Sequence, residues 1–243
     1  MTVQCLGSGD AFGTGGRLNT CFLLRAETRN LLLDCGATSL VALKKQNLSS
    51  GDIDVVVITH FHADHFAGLA FILCEAYTGN RSKPLTIVGP EGLERKVGVL
   101  LDCVFPGIHR PAPFCLRYNV FRAGQPWTHD GMEITGFTAI HSEGTNPHSV
   151  RVRIDGKIIA YSGDTEWSDE LVKVAAGADL FICEASSWEQ TMSGHMSVAQ
   201  VLARRKDLNA KKIVLTHAGS ETLKHASEIP LQIACDGDIL FGP

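Results

Sequence analysis

The sequence has no C-x-x-C pair, no low-complexity run and no internal repeat, and no stretch of it reaches the roughly 18 consecutive apolar residues of a membrane-spanning helix. Thiolate-metal frameworks, solenoids and transmembrane bundles are set aside on that ground. Positive charge is also scarce: 22 Lys and Arg stand against 26 Asp and Glu, a formal net charge of -4. That balance gives no broad basic field with which to grip a nucleic-acid backbone. The amino-terminal Met1-Thr2-Val3-Gln4 has neither the basic nor the apolar part of an export signal. A cytoplasmic protein that touches no membrane is the expectation. The cysteines, at 5, 21, 35, 74, 103, 115, 183 and 235, are scattered, several inside apolar runs such as Leu180-Phe181-Ile182-Cys183, and read as small core residues in a reducing compartment.

Apolar material is ample, at 44% hydrophobic against 20% charged over 243 residues. A folded chain of this size buries on the order of 70–75% of the surface it exposes unfolded. No linker divides it, so one domain spanning residues 1–243 is expected. Short β-branched or aliphatic runs bounded by turn residues predict strands at 2–6, 20–25, 30–34, 53–59, 85–88, 133–139, 149–154, 157–161, 179–183 and 212–216. Helices are predicted at 38–46, 65–77, 91–104, 168–176 and 197–206. The alternation points to an α/β (α+β) layered sandwich rather than an all-β barrel. The proline-rich segment Pro106 to Pro113 predicts a surface loop crossing between two similarly patterned halves.

The most specific feature follows the apolar run that ends at Ile58: Thr59-His60-Phe61-His62-Ala63-Asp64-His65. A single His at a strand end is ordinarily a hydrogen-bonded turn residue. Three His and one Asp within six residues are different, because without an ion they would crowd unpaired polar groups into a half-buried turn. A divalent cation needs neutral imidazole nitrogens and ionised carboxylates converging at about 2.0–2.2 Å. An irregular turn opening into a helix can aim His60 and His62 at one position and Asp64 and His65 at a second.

The H-x-H-x-D-H pattern of His60, His62, Asp64 and His65 resembles the signature of the metallo-β-lactamase superfamily. Further motifs of that family follow in order, each after an apolar run: His141 in Ala139-Ile140-His141-Ser142, Asp164 in Tyr161-Ser162-Gly163-Asp164-Thr165, and His217 in Val214-Leu215-Thr216-His217. The resemblance covers essentially the whole chain. It implies a four-layer αββα sandwich with His60, His62 and His141 on one ion, Asp64, His65 and His217 on a second, and Asp164 bridging. Two divalent cations are the implied cofactors, Zn2+ by default for a His-rich set, with Mn2+ or Fe compatible with mixed ligands. Hydrolysis is the implied reaction class, since such a pair lowers the pKa of water from 15.7 towards about 7.

Two more stretches resemble the ribonuclease Z and phosphodiesterase branch: Cys183-Glu184-Ala185-Ser186 and Ser193-Gly194-His195-Met196-Ser197. In that branch the His assists the departing oxygen, so Asp64, Glu184 and His195 are the implied catalytic residues. A carboxylate beside an imidazole fixes its tautomer and raises its pKa, which suits a proton donor. The plainer alternative is a His opening a helix and a Glu closing a strand. The glycine-rich loop from Gly7 to Arg17 resembles the family's first loop, and Arg17, Asn19 and Thr20 resemble the branch's Arg-x-Asn-Thr run. Arg17 and Asn19, with His195, are the implied substrate-binding residues, Arg17 reaching a phosphate oxygen; the alternative is a tight strand connection carrying a surface Arg. His109, His129, His148 and His225 lack matching partners and read as solvent-facing, and Trp127, Trp167 and Trp188 as packing residues.

Ribonuclease Z proper carries a tRNA-gripping arm between the third His motif and the bridging Asp. Here the interval from His141 to Asp164 is short, and two predicted strands nearly fill it. With the negative net charge, this favours a small anionic phosphodiester, a cyclic nucleotide or a nucleotide-derived diester, and no large nucleic acid. The alternatives are a carboxylic ester, thioester or lactone hydrolase, ribonuclease Z-type RNA processing, and a non-catalytic accessory protein that keeps the metals. A homodimer is left open. Residues 91–130 match no motif and are the place for a lid.

Overall fold

The computed structural model describes residues 1–79, 81–108, 112–122 and 124–242. In order the chain forms β1 (Thr2–Gly7), β2 (Cys21–Arg25), β3 (Asn30–Leu33), α1 (Ser39–Lys45), β4 (Val55–Val57), α2 (Ala63–Phe66), α3 (Leu69–Thr78), β5 (Leu85–Gly89), α4 (Leu93–Val104), β6 (Leu116–Val120), β7 (Trp127–His129), β8 (Met132–Thr138), β9 (His148–Ile154), β10 (Lys157–Tyr161), α5 (Asp169–Ala175), β11 (Leu180–Glu184), α6 (Val198–Arg204), β12 (Ile213–Thr216), α7 (Ser220–Lys224), β13 (Gln232–Ile233) and β14 (Ile239–Phe241). The strands make two seven-stranded sheets, ordered β14-β1-β2-β3-β4-β5-β6 and β13-β12-β11-β10-β9-β8-β7. Both are mixed in the same way. In the first, β1 to β3 pair antiparallel and β3 to β6 parallel; in the second, β7 to β10 pair antiparallel and β10 to β13 parallel.

The layering follows from period-two alternation within strands that are covered on both faces, which is why they read as unbroken apolar runs. Phe22, Leu24, Leu31, Leu33, Val55 and Val57 point between the sheets, where they meet Ile134, Val150, Val152, Ile159, Ile182 and Val214. Their neighbours Leu23, Leu32, Val56 and Ile87 face the other way, onto a helix layer anchored by Leu43, Leu69, Leu73, Val97 and Leu101. Phe181, Cys183, Ile213 and Leu215 likewise face Leu171, Val174, Val198 and Val201. The result is the four-layer αββα sandwich. Each of these buried aliphatic side chains contributes about 1.5–3 kcal/mol of transfer free energy.

The parallel halves set the site. In β3, β4, β10, β11 and β12 the residues at or just beyond the carboxyl end are Asp34, His60, Asp164, Glu184 and His217. Open parallel sheets collect their polar chemistry at such ends, where the backbone leaves the ladder and loops converge.

Several expectations are corrected. The helix expected over 65–77 is divided into α2 and α3, because Gly68 packs against the Cys35 and Gly36 carbonyls, where a Cβ would overlap the latter. Strands β6, β7, β13 and β14 were not predicted. The segment 106–113 does not cross between halves: it joins α4 to β6 of the same sheet, and the crossing follows at 121–126, between β6 and β7. His109, together with 110 and 111, lies outside the described residues. Cys5, Cys21, Cys35 and Cys183 are buried, but Cys103, Cys115 and Cys235 are exposed, contrary to a purely internal role. Burial pushes the Cys21 thiol up to about 12. No helix among the described residues is long and apolar enough to cross a membrane.

Candidate metal centre

The loop after β4 leaves the sheet at Thr59, whose N–H donates to Asp34 Oδ1 (2.8 Å) instead of a neighbouring strand. The turn that follows places His60, His62, Asp64 and His65 together, and His141, Asp164 and His217 reach the same space from the other sheet. The ligand atoms of His60, His62, His141 and Asp164 form one group and those of Asp64, His65, Asp164 and His217 another, each within 4.8 Å. His62 Nδ1 lies 3.2 Å from His60 Nε2 and 3.0 Å from His141 Nε2. Asp164 Oδ2 is 3.8 Å from His60 Nε2, 3.9 Å from His141 Nε2 and 3.4 Å from His217 Nε2. In the second group His65 Nε2 is 3.1 Å from Asp64 Oδ2 and 3.3 Å from Asp164 Oδ1. Donors about 2.0–2.1 Å from a tetrahedral ion stand about 3.4 Å apart. All seven sequence-predicted ligand candidates are therefore brought together, with Asp164 shared.

The proton positions required by the surrounding hydrogen bonds make the case for cations. Four of the imidazoles meet an outward partner through Nδ1: His60 meets Thr59 Oγ1 (3.1 Å), His65 meets Asp34 Oδ2 (2.6 Å), His141 meets the Gly194 carbonyl (2.7 Å) and His217 meets Thr20 Oγ1 (3.4 Å). A carbonyl or carboxylate only accepts, and the Thr59 and Thr20 hydroxyls already donate to Asp34 and to the Gly9 carbonyl. In each of the four rings Nδ1 carries the proton and Nε2 turns a lone pair inward. For His65 that lone pair faces two carboxylates. Asp64 Oδ2, His65 Nε2 and Asp164 Oδ1 are buried without a hydrogen-bond partner, a costly arrangement that a bound cation relieves. The residues fit bound metal cations.

The same electrostatics appear in the protonation equilibria. Burial alone would push His65 down, but the Asp164 and Asp34 carboxylates hold it well above the ordinary value, so that without a cation a proton takes the inward Nε2 position that a cation would replace. Burial would raise Asp164, yet His217 and His65 hold it well below the ordinary carboxylate range. His60 is pushed well down by burial and by His65. The Asp64 and Asp164 carboxylates, both held below the ordinary range, are thus ionised and pull on positive charge.

Glu184 and His195 do pair, Nδ1 to Oε1 at 3.0 Å, with Glu184 fully buried and the His195 side chain 18% exposed. Burial lowers the His195 pKa, but the Glu184 bond and charge more than offset it and raise it to about 9. Asp164, Glu184 and His195 could form a third ligand group; Glu184 Oε1 already accepts from Thr165 N (3.0 Å) and His195, so these atoms serve each other. The His195 ring sits 4.8 Å from that of His141 and 5.7 Å from that of His217, beside both ligand groups.

Arg17, expected to reach a phosphate oxygen, is tied to its own protein in this structure. Its guanidinium donates to Ser8 Oγ (2.9 Å), to the Ala234 carbonyl and to Cys235 Sγ (3.4 Å). It braces Ser8, whose carbonyl accepts His217 N–H at 3.2 Å. Asn19 spends its amide on the Asp10 carbonyl (3.3 Å) and its backbone N–H on Thr38 Oγ1 (2.8 Å), holding the glycine-rich loop. His148 is half-buried, its ring 5.1 Å from that of Phe121, rather than solvent-facing. His129 and His225 stack on Trp127 and Trp188, and the guanidinium of Arg204 covers Trp167 at 5.0 Å.

Asp34 was not singled out from the sequence, although it holds both Thr59 and His65. Its left-handed backbone (φ 56°) is shared by His217 (φ 59°); a His in that region costs on the order of 1–3 kcal/mol and needs surrounding structure to maintain it. An Asp closing a strand just before Cys35-Gly36 was the only available signal.

The family model described as "Anti-Pycsar protein Apyc1" matches residues 1–232. A ribonuclease Z from Agathobacter rectalis is 25% identical over 284 aligned residues, covering 95% of this chain and 91% of that one. Human tRNase Z, short form (ELAC1), superposes with a TM-score of 0.81 at 25% identity over 100% of both chains. YhfI from Bacillus subtilis, a metallo-beta-lactamase fold protein, gives a TM-score of 0.81 at 22% identity over 99% of each. With its two sheets, its His and Asp cluster and these likenesses, the chain belongs to the family described as Anti-Pycsar protein Apyc1, within the metallo-β-lactamase superfamily near its ribonuclease Z and phosphodiesterase branch.

Proposed function

We propose that this chain is a binuclear metal-dependent phosphodiesterase acting on a small phosphodiester, a cyclic nucleotide or a nucleotide-derived diester, in the cytoplasm. His60, His62 and His141 would hold one ion, Asp64, His65 and His217 a second, and Asp164 would serve both; Zn2+ is the first choice for this donor set. When bound, such ions supply a Lewis acid and lower the pKa of water. The chain's own residues do the rest. Asp64 and Asp164 keep their carboxylates ionised facing the reacting space, and Asp34, Thr59, Thr20 and Gly194 fix the imidazole tautomers. Glu184 orients His195 through Nδ1, leaving Nε2 to give its proton to the departing alkoxide oxygen.

The Glu184–His195 pair beside the ligand cluster is the observation that carries this reading. An imidazole with its pKa raised to about 9 is protonated at neutral pH and suited to a poor leaving group. The interval from His141 to Asp164 is taken up by a 3-10 turn (Glu143–Thr145), β9 and β10, joined at Asp155-Gly156 with positive φ at both residues, a tight hairpin. That compact connection supports a small substrate. Likeness to ribonuclease Z over nearly the whole chain favours RNA processing as the second reading.

Metal-loaded protein offered cyclic mononucleotides, bis(p-nitrophenyl) phosphate, a tRNA precursor and p-nitrophenyl acetate side by side separates the readings. Turnover of the small diesters with neither tRNA cleavage nor esterase activity is expected. Preference for the tRNA precursor or the acetate ester overturns the proposal.

A further inference from the structure

Glu166 belongs to no motif and has no part in the site as described so far. Its backbone N–H donates to the Ile140 carbonyl at 2.7 Å, one residue before His141. Its Oε1 accepts the Gly194 N–H at 2.7 Å. The same glycine accepts His141 Nδ1–H through its carbonyl at 2.7 Å and immediately precedes His195. Gly194 has φ +81°, and a Cβ there would stand 2.6 Å from His141 Nδ1, so this close approach needs glycine. The preceding Thr165 completes the connection. Its Oγ1 accepts Ile140 N–H (2.9 Å), and its N–H donates to the Glu184 oxygen that also meets His195. One dipeptide after the shared Asp164 therefore touches the segment before His141, the carboxylate behind His195 and the loop before His195.

We propose that Glu166 is a positioning residue: through Gly194 its carboxylate fixes the His141 ring in the tautomer that presents Nε2 to an ion, and sets His195 beside it. This rests on the metal-binding reading of His141 under the proposed function. The loop needs such an anchor, because Thr191, Met192 and Ser193 are exposed, Met192 at 58%. A carboxylate accepting a backbone N–H is a charge-assisted bond, stronger than a neutral one. Loss of a group that orients a metal ligand ordinarily lowers affinity or activity by about 10–100-fold.

The test measures zinc affinity ion by ion, by competition with a chromophoric chelator, in native protein and in Glu166→Ala, Glu166→Gln and Glu166→Asp, with urea midpoints alongside. In Glu166→Ala one of the two ions should weaken by about 10–100-fold while the other stays within about twofold. Glu166→Gln retains an oxygen acceptor of the same reach and should restore the weakened ion to within about threefold of native. At saturating zinc, kcat of Glu166→Ala on bis(p-nitrophenyl) phosphate should fall about tenfold with KM within about threefold. Native affinity for both ions in Glu166→Ala overturns the proposal. So does a Glu166→Gln as impaired as Glu166→Ala, or an equal loss of both ions together with a lowered urea midpoint. If Glu166→Ala does not fold, Glu166→Asp, which keeps the charge and loses the reach, is judged by the same ion-by-ion criterion. Zinc loading is read without substrate: a wrong substrate class leaves this result standing, whereas native protein that binds no zinc refutes the functional reading itself.

Discussion

Replacing His195 by Ala removes the proton that the Glu184 carboxylate holds in place, and its effect depends on what leaves. Glu184 is fully buried and 3.0 Å from His195 Nδ1, so the imidazole is both oriented and protonated at pH 7, its pKa raised to about 9 from an ordinary 6.5. A positioned proton donor contributes about 10²–10⁴-fold to rate. An alkyl diester, whose departing alkoxide is strongly basic, should lose about 10²-fold or more in kcat. An aryl diester such as bis(p-nitrophenyl) phosphate leaves as a stabilised phenolate and should lose about tenfold. Steady-state rates for a series of phosphodiesters of rising leaving-group basicity, measured on both proteins at matched metal content, give this comparison directly. The slope of log kcat against leaving-group pKa should be steeper for His195→Ala. Donation requires the protonated ring, so native activity on the alkyl diester should fall as pH rises through the His195 pKa, which lies at about 9 without metal and lower once bound cations repel the imidazolium. Unchanged turnover, or an equal loss across the whole series, refutes the proton-donor assignment.

The outer partners of the ligands should matter almost as much as the ligands. Asp34→Ala removes the acceptor from His65 Nδ1 and should weaken metal affinity by about 10–100-fold in chelator competition; native affinity contradicts the tautomer argument. Gly68→Ala forces a Cβ into the Gly36 carbonyl, and Gly36→Ala does the same to the Asp64 carbonyl, so each should cost about 1–3 kcal/mol in urea unfolding. Asp52 is held below its ordinary 3.8 by the backbone N–H and hydroxyl of Ser49. The stability margin of native protein over Asp52→Asn should therefore be present above pH 3.8 and close as pH falls through the lower folded value. Chelation should lower the melting temperature, and zinc at 100 times its Kd should restore about 2.7 kcal/mol.

What could be read from the sequence was whatever lies close together along it. The run His60 to His65 sits within one turn and stands out by its spacing alone, whereas His141, Asp164 and His217, each after an apolar strand, were legible only through the family resemblance. The strands with clear apolar runs, such as Leu31 to Leu33 and Leu180 to Cys183, were legible because both faces are buried. β6 (Leu-Arg-Tyr-Asn-Val) is a sheet edge with exposed and half-buried positions, and shows no period. β13 and β14 are two and three residues long and owe their existence to partners distant in sequence, Ile239 and Phe241 pairing with Gln4 and Val3. Asp34 and Glu166 were invisible for the same reason: each acts on a ligand from another element, and an isolated carboxylate carries no spacing signal. The contacts of Arg17 were not legible, because a motif fixes a residue's position along the chain while its partners Ala234 and Cys235 come from the carboxyl-terminal loop.

Metal content after gel filtration is the most direct measurement. The account predicts about two divalent ions per folded chain, with His141→Ala and His217→Ala each retaining about one. Native protein that is folded, carries no transition metal and takes up none from solution would contradict it.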